Sequence, residues 1–187
     1  MKIIETPIPG LFVLEPRVFA DERGYFFESY NESKFKKEGL VYQFVQDNES
    51  KSHHGVIRGL HYQLEPYAQT KVIRVIRGTV YDVAVDLRKG SPTFGKWFGV
   101  EVSATNKKQF YIPKGFAHGF SVLSKYAIFS YKCDNFYNPA SEGGVRYDDP
   151  ALGIDWLIDK KEAIVSEKDK ILPLLDDAKM NFIYREK

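Results

Sequence analysis

Short apolar or alternating runs recur along the whole chain, each closed by Gly, Pro, Asn or Asp. The pattern over 11–19 and 24–30 predicts two strands joined by a turn at 21–24. Residues 31–39 predict a short helix, with Asn31 placed to cap it and Gly39 to end it. Strands are also expected over 42–46 and 56–62. The runs 72–77 and 80–87 flank Gly78, which predicts a tight hairpin. In the second of these, Tyr81, Val83, Val85 and Leu87 share one face, and Asp82 and Asp86 share the other. The pattern continues over 97–102, 109–112, 118–123 and 127–133, then fades after Pro139 into loops and a helix from about residue 166. There is no internal repeat, low-complexity tract or linker, so one domain over 1–187 is expected. Many short strands at regular spacing predict an all-β, jelly-roll-like barrel with a few short peripheral helices. Barrels of this kind hold small ligands at the mouth, against inward-pointing side chains.

Composition narrows the choice of partner. Aromatic residues make up 15% of the chain, which favours strands and stacking surfaces. The formal net charge is only +2, with basic and acidic residues interspersed, so a nucleic-acid polymer is not expected as partner. Cys133 is the single cysteine and lies in an apolar strand. That fits a reducing, cytoplasmic compartment and a half-buried thiol better than a nucleophile. Residues 1–10 carry two prolines and no long apolar run, so no signal peptide is expected; nor is any membrane span.

The segment Gly55-Val-Ile-Arg-Gly-Leu-His-Tyr-Gln63 is the richest in chemistry. On a regular strand Arg58, Leu60 and Tyr62 share one face and Gly59, His61 and Gln63 the other, unless Gly59 permits a bulge. Imidazole titrates nearest neutrality of all side chains, so His61 can be a general base or a core histidine satisfied by hydrogen bonds; the segment alone weighs these equally. Metal-binding cupins use His-x-His, a following Glu and a later His. Here position 63 is Gln63, Glu65 comes too soon, and only His61 and His118 remain, so no metal is expected. His53 and His54 sit on a predicted loop and read as solvated. Ser166 and Asp169 have the spacing of a helix cap, which by itself needs no catalysis. Tyr131, Lys71 and Arg23 each have an ordinary structural reading as a packing tyrosine, a strand-end lysine and a turn arginine.

Taken together, these segments resemble the dTDP-4-dehydrorhamnose 3,5-epimerase family. The matching stretches run nearly end to end: Asp21-Glu-Arg-Gly-Tyr-Phe-Phe-Glu28, Gln46-Asp-Asn48, the 55–63 segment, 81–95, Ile112-Pro-Lys-Gly-Phe-Ala-His-Gly-Phe120, Tyr131-Lys-Cys133, Tyr147-Asp-Asp-Pro150 and Ser166-Glu-Lys-Asp169. The resemblance implies a homodimer of jelly-roll subunits, no metal or organic cofactor, and a dTDP-4-keto-6-deoxysugar as substrate. It implies His61 as base, Asp169 as its partner, Tyr131 as proton donor on the opposite sugar face and Lys71 beside the C4 oxygen. It further implies Arg58 as a phosphate contact and Tyr137 stacked on thymine. Arg23, Glu28, Gln46, Asn48, His118, Glu142 and Lys168 are implied as substrate-binding positions, with Arg23 and Glu28 reaching the partner's site. Phe136 departs from the pattern, where many relatives have the first of two tyrosines. Alternatives left open are a C3-only or C5-only epimerase, a non-catalytic sugar-nucleotide-binding jelly roll and a metal-dependent oxygenase.

Overall fold

A computed structural model describes residues 1–40 and 43–186. Its strands are β1 (Lys2–Glu5), β2 (Phe12–Glu15), β3 (Val18–Asp21), β4 (Gly24–Phe27), β5 (Gln46–His53), β6 (Val56–Gln63), β7 (Lys71–Arg77), β8 (Thr79–Asp86), β9 (Trp97–Ser103), β10 (Gln109–Ile112), β11 (Phe116–Val122), β12 (Tyr126–Cys133), β13 (Glu142–Gly144) and β14 (Ile164–Val165). Helix α1 (Glu32–Lys37) and the single turn α2 (Glu167–Lys170) lie outside the sheets. Two sheets face each other, ordered β1-β2-β10-β7-β12-β5 and β13-β6-β11-β8-β9, with β14 added in parallel to β6. This is the expected jelly roll.

Alternation explains how the two sheets meet. Inward residues of the first sheet (Val13, Ile73, Phe110, Phe129) pack on those of the second (Val80, Ala84, Phe120, Val122). Phe120 and Phe129 stack across the interface with centroids 4.1 Å apart. Removing aromatic rings of this size from water contributes about 1.5–3 kcal/mol each. The outer faces are also covered. Val83 and Val85 of β8, with Leu87 just after it, pack under Leu152, Trp156, Leu175 and Phe182 of the C-terminal segment. Leu14, Val72 and Tyr111 of the first sheet pack under Phe35 of α1. The helix forms as predicted: Asn31 accepts from the Lys34 amide, and Gly39 supplies the positive φ of 76° after its end.

Several expectations are corrected. Runs 72–77 and 80–87 do not form a hairpin, because β7 and β8 lie in different sheets. Gly78 is the corner between them; its φ is +83°, and a Cβ there would sit 2.2 Å from the Tyr126 carbonyl oxygen. A short link with a turn glycine serves a hairpin and a sheet-to-sheet crossing equally well, so local pattern cannot separate them. The run 11–19 is broken at Pro16 into β2 and β3. Part of the expected strand 42–46 lies outside the described residues; its remainder is not strand until Gln46, where β5 begins. The loop expected at His53 and His54 is instead, as far as His53, the end of the edge strand β5. Its polar alternation hid it, since only one face meets the interior. Cys133 is fully buried rather than half-buried.

Candidate active site

The mouth of the sandwich is a cavity of about 330 Å³, with β5, β6, β7, β11 and β12 all contributing to its wall. Arg58, His61, Lys71, His118, Tyr131, Asn48, Tyr137 and Glu142 line it. Arg58 and His61 are three residues apart and would face opposite ways on a regular strand. They converge because β6 bulges: His61 pairs with His118 and Arg58 with Phe120, leaving two residues of β6 opposite one of β11. The expected face assignment is corrected accordingly, with Ile57, Leu60 and Tyr62 turned outward into the second core. The bulge demands Gly59, whose φ is +122° and whose Cβ would lie 2.6 Å from Gly119 Cα.

His61 Nε2 lies 2.8 Å from Asp169 Oδ1. The Asp169 amide donates to Ser166 Oγ at 3.1 Å, so Asp169 sits in the helix cap. Its carboxylate does not close that cap but accepts from the Gly59 amide at 3.2 Å and faces His61. Burial works against ionisation of this carboxyl, but the hydrogen bond and charge of His61, with the Gly59 amide and Ser166, outweigh it and hold it below the usual carboxylate value. Capping and pairing with His61 are both realised.

Across the cavity, burial pushes the Tyr131 hydroxyl up to about 12, with the nearby Cys133 adding to the shift and Arg58 opposing it. Lys71 is drawn over the Tyr131 ring, Nζ to centroid 5.6 Å. Burial pulls its ammonium down from the ordinary lysine value, against the attraction of Cys133 and Asp82. The Cys133 thiol is pushed up to about 11, mainly by burial, and so stays protonated near neutrality. Arg58 Nε donates to Ser52 Oγ at 3.0 Å, which aims the guanidinium from β6 towards β5. At the rim, Glu142 accepts from Tyr137 at 3.0 Å and Lys168 at 2.6 Å. Lys168 holds its carboxyl below the usual value. Gln46 donates to Asn48 at 3.0 Å and accepts from the Tyr137 amide at 3.2 Å. Tyr137 keeps half its surface exposed, leaving a ring face for a planar partner.

Two of the expected positions lie apart from this cluster. Arg23 pairs with Asp21 in the exposed β3–β4 turn, and Glu28 bonds Lys34 and Asn31 beside α1; neither lines the cavity. His54 is not merely solvated: its Nδ1 lies 3.0 Å from the Leu123 carbonyl oxygen and its Nε2 3.6 Å from Glu162. One group was missed. Asp82 points inward, is fully buried, and lies 2.8 Å from His118 Nε2. The available signal was a charged residue on an inward position of a strand that is apolar on both faces. Among the described residues no three His, Cys, Asp or Glu side chains converge as a metal-ligand set. Gln63, at the position where a metal cupin has its second histidine, accepts from the Asn138 amide through its Oε1.

The fold and this cluster define the class of the protein, a jelly-roll enzyme with acid–base side chains at the barrel mouth. The profile described as dTDP-4-dehydrorhamnose 3,5-epimerase matches residues 5–177. A relative of that name from Shigella flexneri is 54% identical over 170 residues, 90% of this chain and 93% of its own. The crystal structure of dTDP-4-dehydrorhamnose 3,5-epimerase from Elizabethkingia anophelis superposes with a TM-score of 0.91 at 57% identity, covering 95% of this chain and 97% of that one. A dTDP-6-deoxy-D-glucose-3,5-epimerase from Legionella pneumophila, solved with dTDP-4-keto-L-rhamnose, gives 0.90 at 50% identity over 94% and 93%. The chain belongs to the dTDP-4-dehydrorhamnose 3,5-epimerase family.

Proposed function

We propose that this protein epimerises dTDP-4-dehydro-6-deoxy-D-glucose at C3 and C5, giving dTDP-4-dehydro-L-rhamnose for dTDP-L-rhamnose synthesis. The observation that carries this reading is the 2.8 Å His61–Asp169 dyad, whose histidine shares one cavity with Tyr131 and Lys71. Both substrate protons lie alpha to the C4 carbonyl, so loss of either gives an enolate. His61 takes the proton as base, and the Asp169 carboxylate balances the imidazolium that forms. The C4 oxygen gains negative charge at that moment, and Lys71 supplies a cation beside it. Tyr131, whose hydroxyl keeps its proton well above neutrality, returns one to the opposite face of the carbon and inverts it. His61 then releases its proton to solvent and Tyr131 regains one, so the enzyme ends as it began without a metal or organic cofactor. Arg58 suits the pyrophosphate because its planar fork meets two oxygens together. Tyr137 stacks on the thymine, while Gln46, Asn48, His118, Glu142 and Lys168 hold the remaining polar groups.

In this reading the working unit is a homodimer of two 1–187 domains. Among the described residues the β3–β4 hairpin pairs only with itself, and it exposes Phe19, Tyr25 and Phe26, an apolar face suited to a second copy. Arg23 and Glu28 then reach the neighbouring cavity. No helix among the described residues is long and apolar enough to cross a membrane. A cytoplasmic location fits the free, buried Cys133.

The test is turnover of the 4-keto sugar nucleotide in D₂O, with deuterium located by NMR. Label at C3 and C5 of an inverted product is the expected result. Label at one carbon would replace the double epimerase with a single one. Binding of the nucleotide without label would leave a binding module.

A further inference from the structure

We infer that Asp82 is a positioning residue of this site, which holds His118 by Nε2 and serves as the buried counter-charge of Lys71. The inference rests on the proposed proton-transfer reading. Lys71 of β7 and His118 of β11 line the cavity, and Asp82 of β8 lies behind them against His118, close enough to Lys71 for their charges to interact. Asp82 is fully buried, with Oδ1 2.8 Å from His118 Nε2 and with Oδ2 lacking any hydrogen-bond partner among the described residues. An unpaired carboxylate oxygen at such depth costs free energy unless a positive charge lies near. Lys71 is that charge, with the Cys133 thiol, the Tyr131 ring and His118 also beside it. The groups facing His118 are Asp82, Lys71 and His61.

Burial alone drives both members of the Lys71–Asp82 pair towards neutrality, and each opposes that drift in the other. With Asp82 ionised, the proton between it and His118 belongs to His118 Nε2, which leaves Nδ1 bare as an acceptor for a sugar hydroxyl. His118 pairs with His61 across adjacent strands, and His61 also meets its carboxylate through Nε2. Two histidines of matched orientation thus line one cavity, one to take a carbon-bound proton and one to accept a hydrogen bond. Lys71, charged through Asp82, is ready to meet the enolate oxygen.

The test reads protonation directly. In ¹⁵N-histidine spectra of the native protein, His118 is expected with Nε2 protonated and Nδ1 bare; in ¹³C-lysine spectra, Lys71, identified by its absence in Lys71→Met, is expected charged at pH 7. Asp82→Asn should lower the Lys71 midpoint by about one unit or more, a tenfold loss in proton affinity. The alkaline limb of kcat should move with it, and kcat near neutrality should fall about 10²-fold with KM little changed. A merely structural aspartate would lower stability and leave both midpoint and limb in place, which overturns the proposal. Should Asp82→Asn not fold, Lys71→Met decides: loss of the cation is expected to move the His118 proton to Nδ1, and an unchanged tautomer overturns the proposal. Neither spectrum involves sugar nucleotide, so failure of the protein to epimerise would be seen separately.

Discussion

Asp169→Asn isolates the charge of the dyad while keeping its shape. The asparagine can still accept from the Gly59 amide, and its own amide still caps on Ser166, so the bulge and the α2 turn persist. What is lost is the carboxylate 2.8 Å from His61 Nε2. A hydrogen bond to a charged group contributes about 1.5–3 kcal/mol. Since each 1.36 kcal/mol is tenfold in rate, losing that support for the imidazolium slows proton removal about 10- to 150-fold. The asparagine NH₂ can also donate to Nε2, forcing the His61 proton onto Nδ1 and removing the lone pair that faces the cavity. Together these effects bring the expected loss in kcat to about 10²–10⁴-fold. KM should hardly change, because the rim contacts of Tyr137, Glu142 and Lys168 are untouched. Product formation followed by NMR, with thermal melting as the control for fold, gives the answer. A variant that folds and retains kcat within about threefold of wild type, under ~0.7 kcal/mol of barrier, would refute a charged dyad as the base.

Three further outcomes are expected. Tyr131→Phe should depress product formation about 10²-fold or more while exchange of the substrate proton with D₂O continues, because the base remains and only the donor is gone; equal losses in both would count against a donor role. Gly59→Ala should cost at least about 2 kcal/mol, from the +122° φ and the 2.6 Å approach to Gly119 Cα, and should lower the melting temperature by roughly 4–8 °C; an unshifted melt would mean the bulge tolerates a side chain. Asp86 accepts from Arg88, Ser91 and Thr93 while fully buried, so Asp86→Ala should destabilise by about 3–5 kcal/mol in urea unfolding. Burial opposes ionisation of Asp86, but these hydrogen bonds hold its folded value below the ordinary 3.8. Its contribution is therefore present above pH 3.8 and lost as pH falls through the lower folded value, and the gap between wild type and variant should narrow only in that acid range.

How much of this was legible beforehand depends on the range of each interaction. The all-β architecture, the capped helix at Asn31 and the strands 56–62, 97–102, 109–112 and 127–133 follow from alternation and local capping, which involve neighbours in sequence. The identity of the site residues came from joined motifs, and His61, Lys71, Tyr131, Arg58 and His118 do meet in one cavity. Other features needed the third dimension. Gly78 turns the chain from one sheet to the other because inward side chains on both flanking strands find partners across the sandwich, a choice no local rule makes. Arg58 joins His61 only because of a bulge set by the register of β6 against β11. Asp169 meets His61 across 108 residues, so from sequence it read first as a cap. Asp82 was visible as an acid in an apolar strand, but its contact with His118 depends on two strands lying side by side. Sequence determines the periodicity and the supply of chemical groups, because those are properties of neighbouring residues. Tertiary structure decides which groups share one low-dielectric cavity, and there their charges and protons become coupled.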